Sequence, residues 1–253
     1  MAYLSLPDAD LYYQVHGDGP ALVLVHGSGG NHLSFWRQLP VLSQHYRCIV
    51  WDQPGYGLSR TITPERDASC LLDDLIALLD HLGVPRAHLV GQSIGGHLCL
   101  RLAMRTPDRV LSLVLADSLA GIAAPQIAAA KAQAGPLPEG LLERALAPGF
   151  RARNTELVFL YGAIEKLNHA QAAPRLPAFS DVPAADVAKL TMPVLFLAGE
   201  LDPVAPPAAV SAAAAIIAGS RLRIVPDAGH SVYVERPDAF NDAIADFIAA
   251  YCG

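Results

Sequence analysis

Short apolar runs recur along the chain and alternate with longer stretches of helical periodicity. Runs that predict strands occupy residues 10–16, 20–25, 47–51, 87–90, 110–116, 193–198 and 222–225. Apolar residues at helical spacing predict helices near 35–43, 66–82, 94–104, 208–218 and 237–251. Most strand runs lack polar alternation, which is typical of strands that are buried on both faces. The pattern therefore predicts an α/β fold with a mostly parallel central sheet flanked by helices.

The first two strand runs are separated by Gly17, Asp18 and Gly19. Two strands joined by a short glycine-rich turn usually form a hairpin. The sequence therefore predicts that residues 10–16 and 20–25 pair with each other as antiparallel neighbours.

The pattern changes between residues 120 and 188, where alanine, proline and glycine are frequent and apolar helical pieces follow without strand runs. Alternating strands and helices resume after residue 189. We therefore predict one core domain, formed by residues 1–119 and 189–253, with a helical cap inserted at residues 120–188.

Composition and charge narrow the classes of function. Hydrophobic residues make up 52% of the chain and charged residues 17%, so a sizeable core can form. No apolar run is long enough for a membrane helix, and the N-terminus lacks the pattern of a secretory signal. The net charge is −6 and lysines and arginines do not cluster, which argues against nucleic-acid binding. A soluble cytoplasmic protein is expected.

Neither the cysteines nor the histidines show the spacing of a metal site. Without a Cys-x-x-Cys pair, reduced thiols are predicted for the cysteines, which are Cys48, Cys70, Cys99 and Cys252. Structural roles are predicted for the histidines His26, His32, His97 and His169. No metal or cofactor is expected.

The segment GQSIG places Ser93 between Gly91 and Gly95, where a strand gives way to a helix. Such a turn strains the residue at its apex, and its neighbours two positions away must be small. The Ser93 hydroxyl is then held at the C-terminal edge of the sheet above a helix N-terminus, which favours negative charge. This position suits a nucleophile that forms an oxyanion intermediate.

A serine nucleophile needs a base, and the base needs an acid that orients it. His230 follows the strand at 222–225, and Asp202 follows the strand at 193–198. Since the carboxyl ends of parallel strands share one edge of a sheet, both can meet Ser93 there. Asp117, which follows the strand at 110–116, is the rival acid, and Asp202 is the preferred one. Asp227 is expected to hold the loop before His230.

The segment LVLVHGSGGNH also has to be compared with a dinucleotide-binding turn. Gly27 and Gly29 follow a strand, and Asp52 ends the next strand, where a ribose-binding acid would lie. The fingerprint needs a third glycine where this chain has His32, so a nucleotide site is not expected. Asp52 is expected to fix the turn at Pro54 and Gly55.

Taken together, these segments resemble the α/β-hydrolase superfamily over nearly the whole chain apart from the insertion. The segments that carry the resemblance are HGSGG at 26–30, DQPGYGLS at 52–59, GQSIG at 91–95, GELD at 199–202 and DAGH at 227–230. Within the superfamily the chain is most similar to small serine esterases and enol-lactonases with a short helical cap. The order serine, acid, histidine is the superfamily's own.

The resemblance implies a serine hydrolase that cleaves a small carboxylic ester or lactone through an acyl-enzyme intermediate. It implies Ser93 as nucleophile, His230 as base and Asp202 as orienting acid. It also implies an oxyanion hole formed by the backbone N–H groups of Ser28 and Ile94. The implied partner is a small-molecule substrate, and no cofactor is implied.

Other functions of the same fold stay open from the sequence. A carbon–carbon bond hydrolase of ring-cleavage products would need a group in the cap for a second carboxylate, and Arg151, Arg153 and Arg175 are candidates. A cofactor-free haloperoxidase or perhydrolase would use the same acyl chemistry. A non-enzymatic receptor for a small ligand is the third alternative.

Substrate contacts are the least determined part of the site. Gly27, Trp36, Val232 and Tyr233 lie near the predicted catalytic residues in sequence and are candidates for substrate binding. Several apolar residues of the insertion could line an acyl pocket or could pack the cap onto the core: Leu141, Leu142, Leu146, Phe150, Leu157, Phe159, Leu160 and Tyr161. Packing is the safer interpretation for most of them.

Overall fold

A nine-stranded sheet forms the centre of the molecule. The computed structural model describes residues 2–61, 70–168 and 181–251. The sheet consists of β1 (Ala2–Ser5), β2 (Ala9–His16), β3 (Ala21–Val25), β4 (Arg47–Trp51), β5 (Arg60–Thr61), β6 (Ala87–Gln92), β7 (Val110–Ala116), β10 (Val194–Gly199) and β11 (Arg221–Val225). Its order is β1-β2-β4-β3-β6-β7-β10-β11, with β5 paired to β2. Neighbours from β4 to β11 are parallel, whereas β2 pairs antiparallel with β1, β4 and β5.

Helices cover both faces of this sheet. They are α1 (Leu39–Leu42), α2 (Cys70–His81), α3 (Ile94–Arg105), α4 (Pro125–Gln133), α5 (Leu141–Ala145), α6 (Pro148–Arg153), α7 (Thr155–Glu165), α8 (Ala184–Val187), α9 (Pro207–Ala214), α10 (Val232–Glu235) and α11 (Pro237–Ala249). Successive residues of a strand point to opposite faces, so Val23 packs in one core cluster and Leu24 in the other. Helices α2, α3 and α9 cover the first cluster and α11 the second. The predicted α/β-hydrolase fold is confirmed.

The predicted hairpin between β2 and β3 is wrong. Both strands exist, but β4 lies between them and pairs with each. The glycines of the connection serve close packing instead. A Cβ on Gly17 would lie 2.6 Å from the Tyr46 carbonyl oxygen, and one on Gly19 would lie 2.6 Å from that of His45. The connection therefore has to pass directly against the chain that enters β4.

The predicted cap contains helices α4 to α8. Unlike the expectation, it also contains strands, because β8 (Ile122–Ala123) pairs with β9 (Val182–Pro183) in a small parallel sheet. Helix α4 packs against α9 of the predicted core. Residues 169–180, with His169 and Arg175, lie outside the described residues. The division into core and cap stays a prediction, and "cap" below means the described residues between 120 and 188.

Two smaller expectations concern the cysteines and membrane helices. Cys48, Cys70 and Cys99 are free thiols, and Cys252 lies outside the described residues. Burial raises the pKa of the Cys48 thiol to about 12, so this thiol stays protonated.

Within the described ranges, no helix combines the length and apolarity that a membrane span requires.

Candidate active site

Ser93 occupies a sharp turn between β6 and α3. Its φ of 52° lies in the left-handed region, which is strained for a residue with a side chain. The glycines on either side permit the turn. A Cβ on Gly91 would lie 2.5 Å from the Gly95 carbonyl oxygen, and one on Gly95 would collide with the carbonyl oxygen of Val25. The Ser93 N–H donates to the Ala116 carbonyl at 2.9 Å, which ties the turn to β7.

The three residues of the expected triad meet at the C-terminal edge of the sheet. His230 Nε2 lies 2.9 Å from Ser93 Oγ, and His230 Nδ1 lies 2.8 Å from Asp202 Oδ2. The other Asp202 oxygen accepts hydrogen bonds from the amides of Val204 and Ala205 at 2.7 and 2.9 Å. The carboxylate is therefore fixed by its own loop, and one oxygen is left for the imidazole. This arrangement can transfer a proton from the serine to the histidine.

Asp117, the rival acid, has different partners. Its oxygens accept from the amides of Gly199 and Val232, both at 3.2 Å. Burial, and then the negative charge of Asp202, raise the pKa of the Asp117 carboxyl well above its usual value. The carboxylate oxygen that contacts the imidazole belongs to Asp202, so the geometry favours Asp202 over Asp117 as the orienting acid.

The loop after β3 passes directly beside the serine. A Cβ on Gly27 would lie 3.1 Å from the Cβ of Ser93. Ser28 follows on the exposed side of this loop, and Ile94 begins α3. Within the described residues, neither the Ser28 nor the Ile94 amide donates a hydrogen bond to another group. Both N–H groups are thus free to bind a developing oxyanion.

A cavity between the cap and the core adjoins this loop through Gly29. Its remaining lining residues are Ser34, Trp36, Leu157, Leu160, Tyr161, Ile164, Tyr233 and Val234. The residues from α7 are spaced so that they share one face of the helix. Trp36 and Tyr233, two of the predicted substrate contacts, are part of this lining. The described lining does not include Ser93, so the cavity lies next to the nucleophile's loop and not over the nucleophile itself.

The other two predicted substrate contacts are placed differently. Val232 is fully buried, and its N–H donates to Asp117, so its side chain packs in the core. Gly27 is buried with its backbone against Ser93. A Cβ at that position would collide with the Gln92 side-chain oxygen, so the glycine allows the loop to approach the nucleophile.

Some of the apolar cap residues pack against the core, and others are exposed to solvent. Ala145, Leu146 and Phe150 are buried in the same cluster as α11, whereas Phe159 is 79% exposed. Of the arginines considered for a second carboxylate, Arg151 forms an ion pair with Glu143 at 2.8 Å. Arg153 lines a separate groove beside α11, and Arg175 lies outside the described residues.

Asp52, which lies where a ribose-binding acid would be, pairs with His32, the residue that replaces the third glycine of the fingerprint. His32 Nδ1 lies 2.8 Å from Asp52 Oδ2, and both side chains are buried. Asp52 also accepts from the amide of Leu58 at 2.7 Å, so it holds the loop after β4, as expected. Among the described residues, no group of three or more histidine, cysteine or acidic side chains is arranged to hold a metal ion.

Sequence reasoning missed several polar residues that support the site. Gln92 donates to the His230 carbonyl at 3.0 Å, and Ser118 donates to the Ser93 carbonyl at 2.6 Å. Asn31, directly after the glycines of the β3 loop, donates to the Ile164 carbonyl of α7 at 2.9 Å. Each partner is distant in sequence. The only signal in the sequence was their position, since Gln92 ends β6 and Ser118 follows β7, the adjacent strand.

Comparison with known proteins identifies the family. The family model described as "Alpha/beta hydrolase family" matches residues 22–243. The chain belongs to the alpha/beta hydrolase family. A curated relative, 3-oxoadipate enol-lactonase 2 of Acinetobacter baylyi, is 33% identical over 95% of this chain and 94% of its own length.

Two solved structures resemble this alpha/beta hydrolase over almost their whole length. The enol-lactonase of Burkholderia xenovorans superposes with a TM-score of 0.82 at 26% identity, covering 98% of this chain and 100% of that one. A thermophilic esterase of Thermogutta terrifontis shares the fold with a TM-score of 0.84 at 24% identity, covering 99% of each chain. The protein is therefore a hydrolase of this fold.

Proposed function

We propose that this alpha/beta hydrolase cleaves a small carboxylic ester or lactone through an acyl-enzyme intermediate on Ser93. The observation that carries the proposal is the continuous contact from Ser93 Oγ to His230 Nε2 at 2.9 Å and from His230 Nδ1 to Asp202 at 2.8 Å. The likeness to an enol-lactonase along almost the entire chain supports a lactone or ester as the substrate class.

In the acylation half-reaction, His230 Nε2 takes the Ser93 proton as Oγ attacks the carbonyl carbon. The carbonyl oxygen becomes an oxyanion that accepts hydrogen bonds from the N–H groups of Ser28 and Ile94. Losing one such donor typically costs about 3 kcal/mol in the barrier. The protonated His230 then donates its proton to the leaving oxygen, and the bond between the carbonyl carbon and that oxygen breaks.

In the deacylation half-reaction, His230 takes a proton from water and the hydroxide attacks the acyl carbon. The second tetrahedral intermediate collapses, the bond to Ser93 Oγ breaks, and His230 returns the proton to that oxygen. The products are the carboxylic acid and a free serine. For a lactone, the leaving hydroxyl stays on the same molecule, so a single hydroxy acid leaves.

The cavity beside Gly29 is narrow, with room for about one small group, and it is the proposed site for such a part of the substrate. Its lining includes Trp36, Leu160, Ile164 and Tyr233. The lining also has the hydroxyl groups of Ser34 and Tyr161 but no charged side chain, so a charged group would lose its hydration there without an opposite charge. This favours uncharged esters or lactones as substrates.

The decisive experiment replaces the nucleophile. Ser93→Ala should lower kcat by about 10⁶-fold, or to the background rate, with 4-nitrophenyl acetate and with a simple lactone. Ser211→Ala, which removes an exposed serine hydroxyl on α9, is the matched control and should retain activity. Mass spectrometry of acid-quenched wild-type enzyme should detect an added acetyl group on the peptide that contains Ser93. Undiminished turnover by Ser93→Ala would refute the proposal.

A further inference from the structure

The carboxylate of Glu235 connects the cap to the loop that carries His230. Glu235 ends α10, and its side chain is only 4% exposed. One of its oxygens accepts from the Gly229 amide at 2.9 Å, and the other accepts from the Ala147 amide at 3.0 Å. Gly229 directly precedes His230, and Ala147 directly precedes α6 of the cap.

The two chain segments that Glu235 joins are also in direct contact. A Cβ on Gly229 would lie 2.7 Å from the Ala147 nitrogen and 3.2 Å from the carbonyl carbon of Leu146. On its other side, Gly229 is packed against the end of β10, since a Cβ on Gly199 would collide with the Gly229 carbonyl oxygen. The backbone before His230 is therefore held between β10, the cap and the Glu235 carboxylate.

An ionised carboxylate matches this geometry and a neutral group does not. Two backbone N–H groups point at two oxygens, and a carboxylate accepts with both. In a protonated acid or an amide, one of the two positions carries a donor, so one buried N–H loses its partner. An unpaired buried amide is costly, and the loop or the cap has to shift to relieve it.

Several charged and titratable groups surround this carboxylate. They are Arg236 on its own segment, Asp117 after β7, Tyr161 of α7, Arg153 of α6, Asp238 of α11 and Arg37 before α1. Burial raises the pKa of Glu235 to about 7, against the opposing effects of the Ala147 and Gly229 amides, the charge of Arg236 and, least, the Ser231 backbone. Its protonation state therefore changes in the neutral pH range.

We propose that Glu235 is a positioning residue whose ionised carboxylate joins the cap to the histidine loop and thereby holds His230 within reach of Ser93. The inference rests on the proposed function, because it concerns the same histidine. When Glu235 takes up a proton, the loop before His230 loses one of its anchors. The enzyme then has a second ionisation that governs activity, besides that of the imidazole itself.

The test compares wild type with Glu235→Gln across pH, because glutamine has the shape of the protonated acid. At about pH 8.5 the variant's kcat should be about tenfold lower, with little change in KM, since a displacement of a catalytic group by about 1 Å can cost up to about 100-fold. At about pH 5.5 wild-type Glu235 is protonated, so the two kcat values should agree within about twofold. A residue with a merely structural role would give a ratio that is independent of pH.

The matched control is Glu200→Gln. Glu200 also accepts from a backbone amide of the histidine loop, that of Asp227 at 3.1 Å, but it is exposed, and among the described residues its carboxylate has no hydrogen bond to the cap. Its kcat ratio to wild type should stay constant over the same pH range. A constant ratio for Glu235→Gln, or full activity of that variant at about pH 8.5, would overturn the proposal.

A second measurement does not depend on turnover. The amide resonances of Ala147 and Gly229 should shift together with a midpoint near pH 7 in wild type, and neither should titrate in Glu235→Gln. The two proposals can fail separately. Activity retained by Ser93→Ala would refute the proposed function, whereas amide resonances that do not titrate in the wild type would refute only the role of Glu235. The same titration in Ser93→Ala should still show the shift, because it does not depend on turnover.

Discussion

Two buried histidine–aspartate pairs with the same shortest distance between nitrogen and oxygen lie in different parts of this molecule. In each, Nδ1 of the histidine lies 2.8 Å from Oδ2 of the aspartate, and each aspartate side chain is fully buried. One pair, His230 with Asp202, ends at Ser93 Oγ. In the other, His32 with Asp52, the imidazole packs against the ring of Tyr12, with centroids 4.7 Å apart.

The difference between the pairs lies in what surrounds them. Asp202 uses one oxygen for two amides of its own loop and leaves the other for His230. Asp52 uses both oxygens for backbone amides, that of His32 on one and that of Leu58 on the other. The first pair is therefore arranged to orient an imidazole, and the second to hold two loops together. A histidine–aspartate pair alone does not indicate catalysis.

Of the substitutions that test this comparison, Asp202→Asn should have the largest effect on kcat. The asparagine oxygen can keep the Val204 and Ala205 amides, which turns its NH₂ toward His230 Nδ1. The imidazole then carries its proton on Nε2 and can no longer accept one from Ser93. We expect kcat to fall by about 10⁴-fold, with a change of less than about 1 kcal/mol in the free energy of unfolding. Steady-state kinetics and urea unfolding check both parts.

Asp52→Asn should have the opposite result, a loss of stability with little change in kcat. Whichever way the new amide is turned, its NH₂ faces a backbone N–H, that of His32 or that of Leu58. The free energy of unfolding should fall by about 2 kcal/mol, while kcat per folded molecule stays close to that of the wild type. Urea unfolding measures the first quantity, and active-site titration corrects the second for unfolded protein. A large loss of kcat in the folded variant would show that the second pair also serves the chemistry.

Most of the fold could be predicted because buried parallel strands leave a strong local signal. The apolar runs at 87–90, 110–116 and 193–198 correspond to β6, β7 and β10. The order of the strands in the sheet was harder to predict from the sequence. The glycines at 17 and 19 have the local appearance of a hairpin, yet what requires them is the chain at Ser43 to Tyr46, far away in sequence.

The residues of the candidate site also fall into those that the sequence could predict and those that it could not. Ser93, Asp202 and His230 could be proposed because each follows a strand in a recognisable turn. Glu235 and Asn31 could not, because each acts by a hydrogen bond to the backbone of a distant segment, Ala147 in one case and Ile164 in the other. Such a contact exists only after the cap has packed on the core, and no local pattern encodes it.

The smallest expected effect tests whether Asp202, and not Asp117, is the acid. Asp117→Asn changes a carboxyl that accepts from the amides of Gly199 and Val232, whereas the hydrogen bond to the His230 imidazole comes from Asp202. We expect kcat to change by less than about tenfold. The free energy of unfolding should fall by about 2 kcal/mol at most, because the new NH₂ faces one of the two amides and both of those hydrogen bonds are long, at 3.2 Å. The same kinetic and unfolding assays compare this variant directly with Asp202→Asn. If Asp117→Asn lost about 10⁴-fold in kcat while Asp202→Asn stayed active, the orienting role would belong to Asp117. The hydrogen bond between Asp202 and His230 would then be structural, like the one between Asp52 and His32.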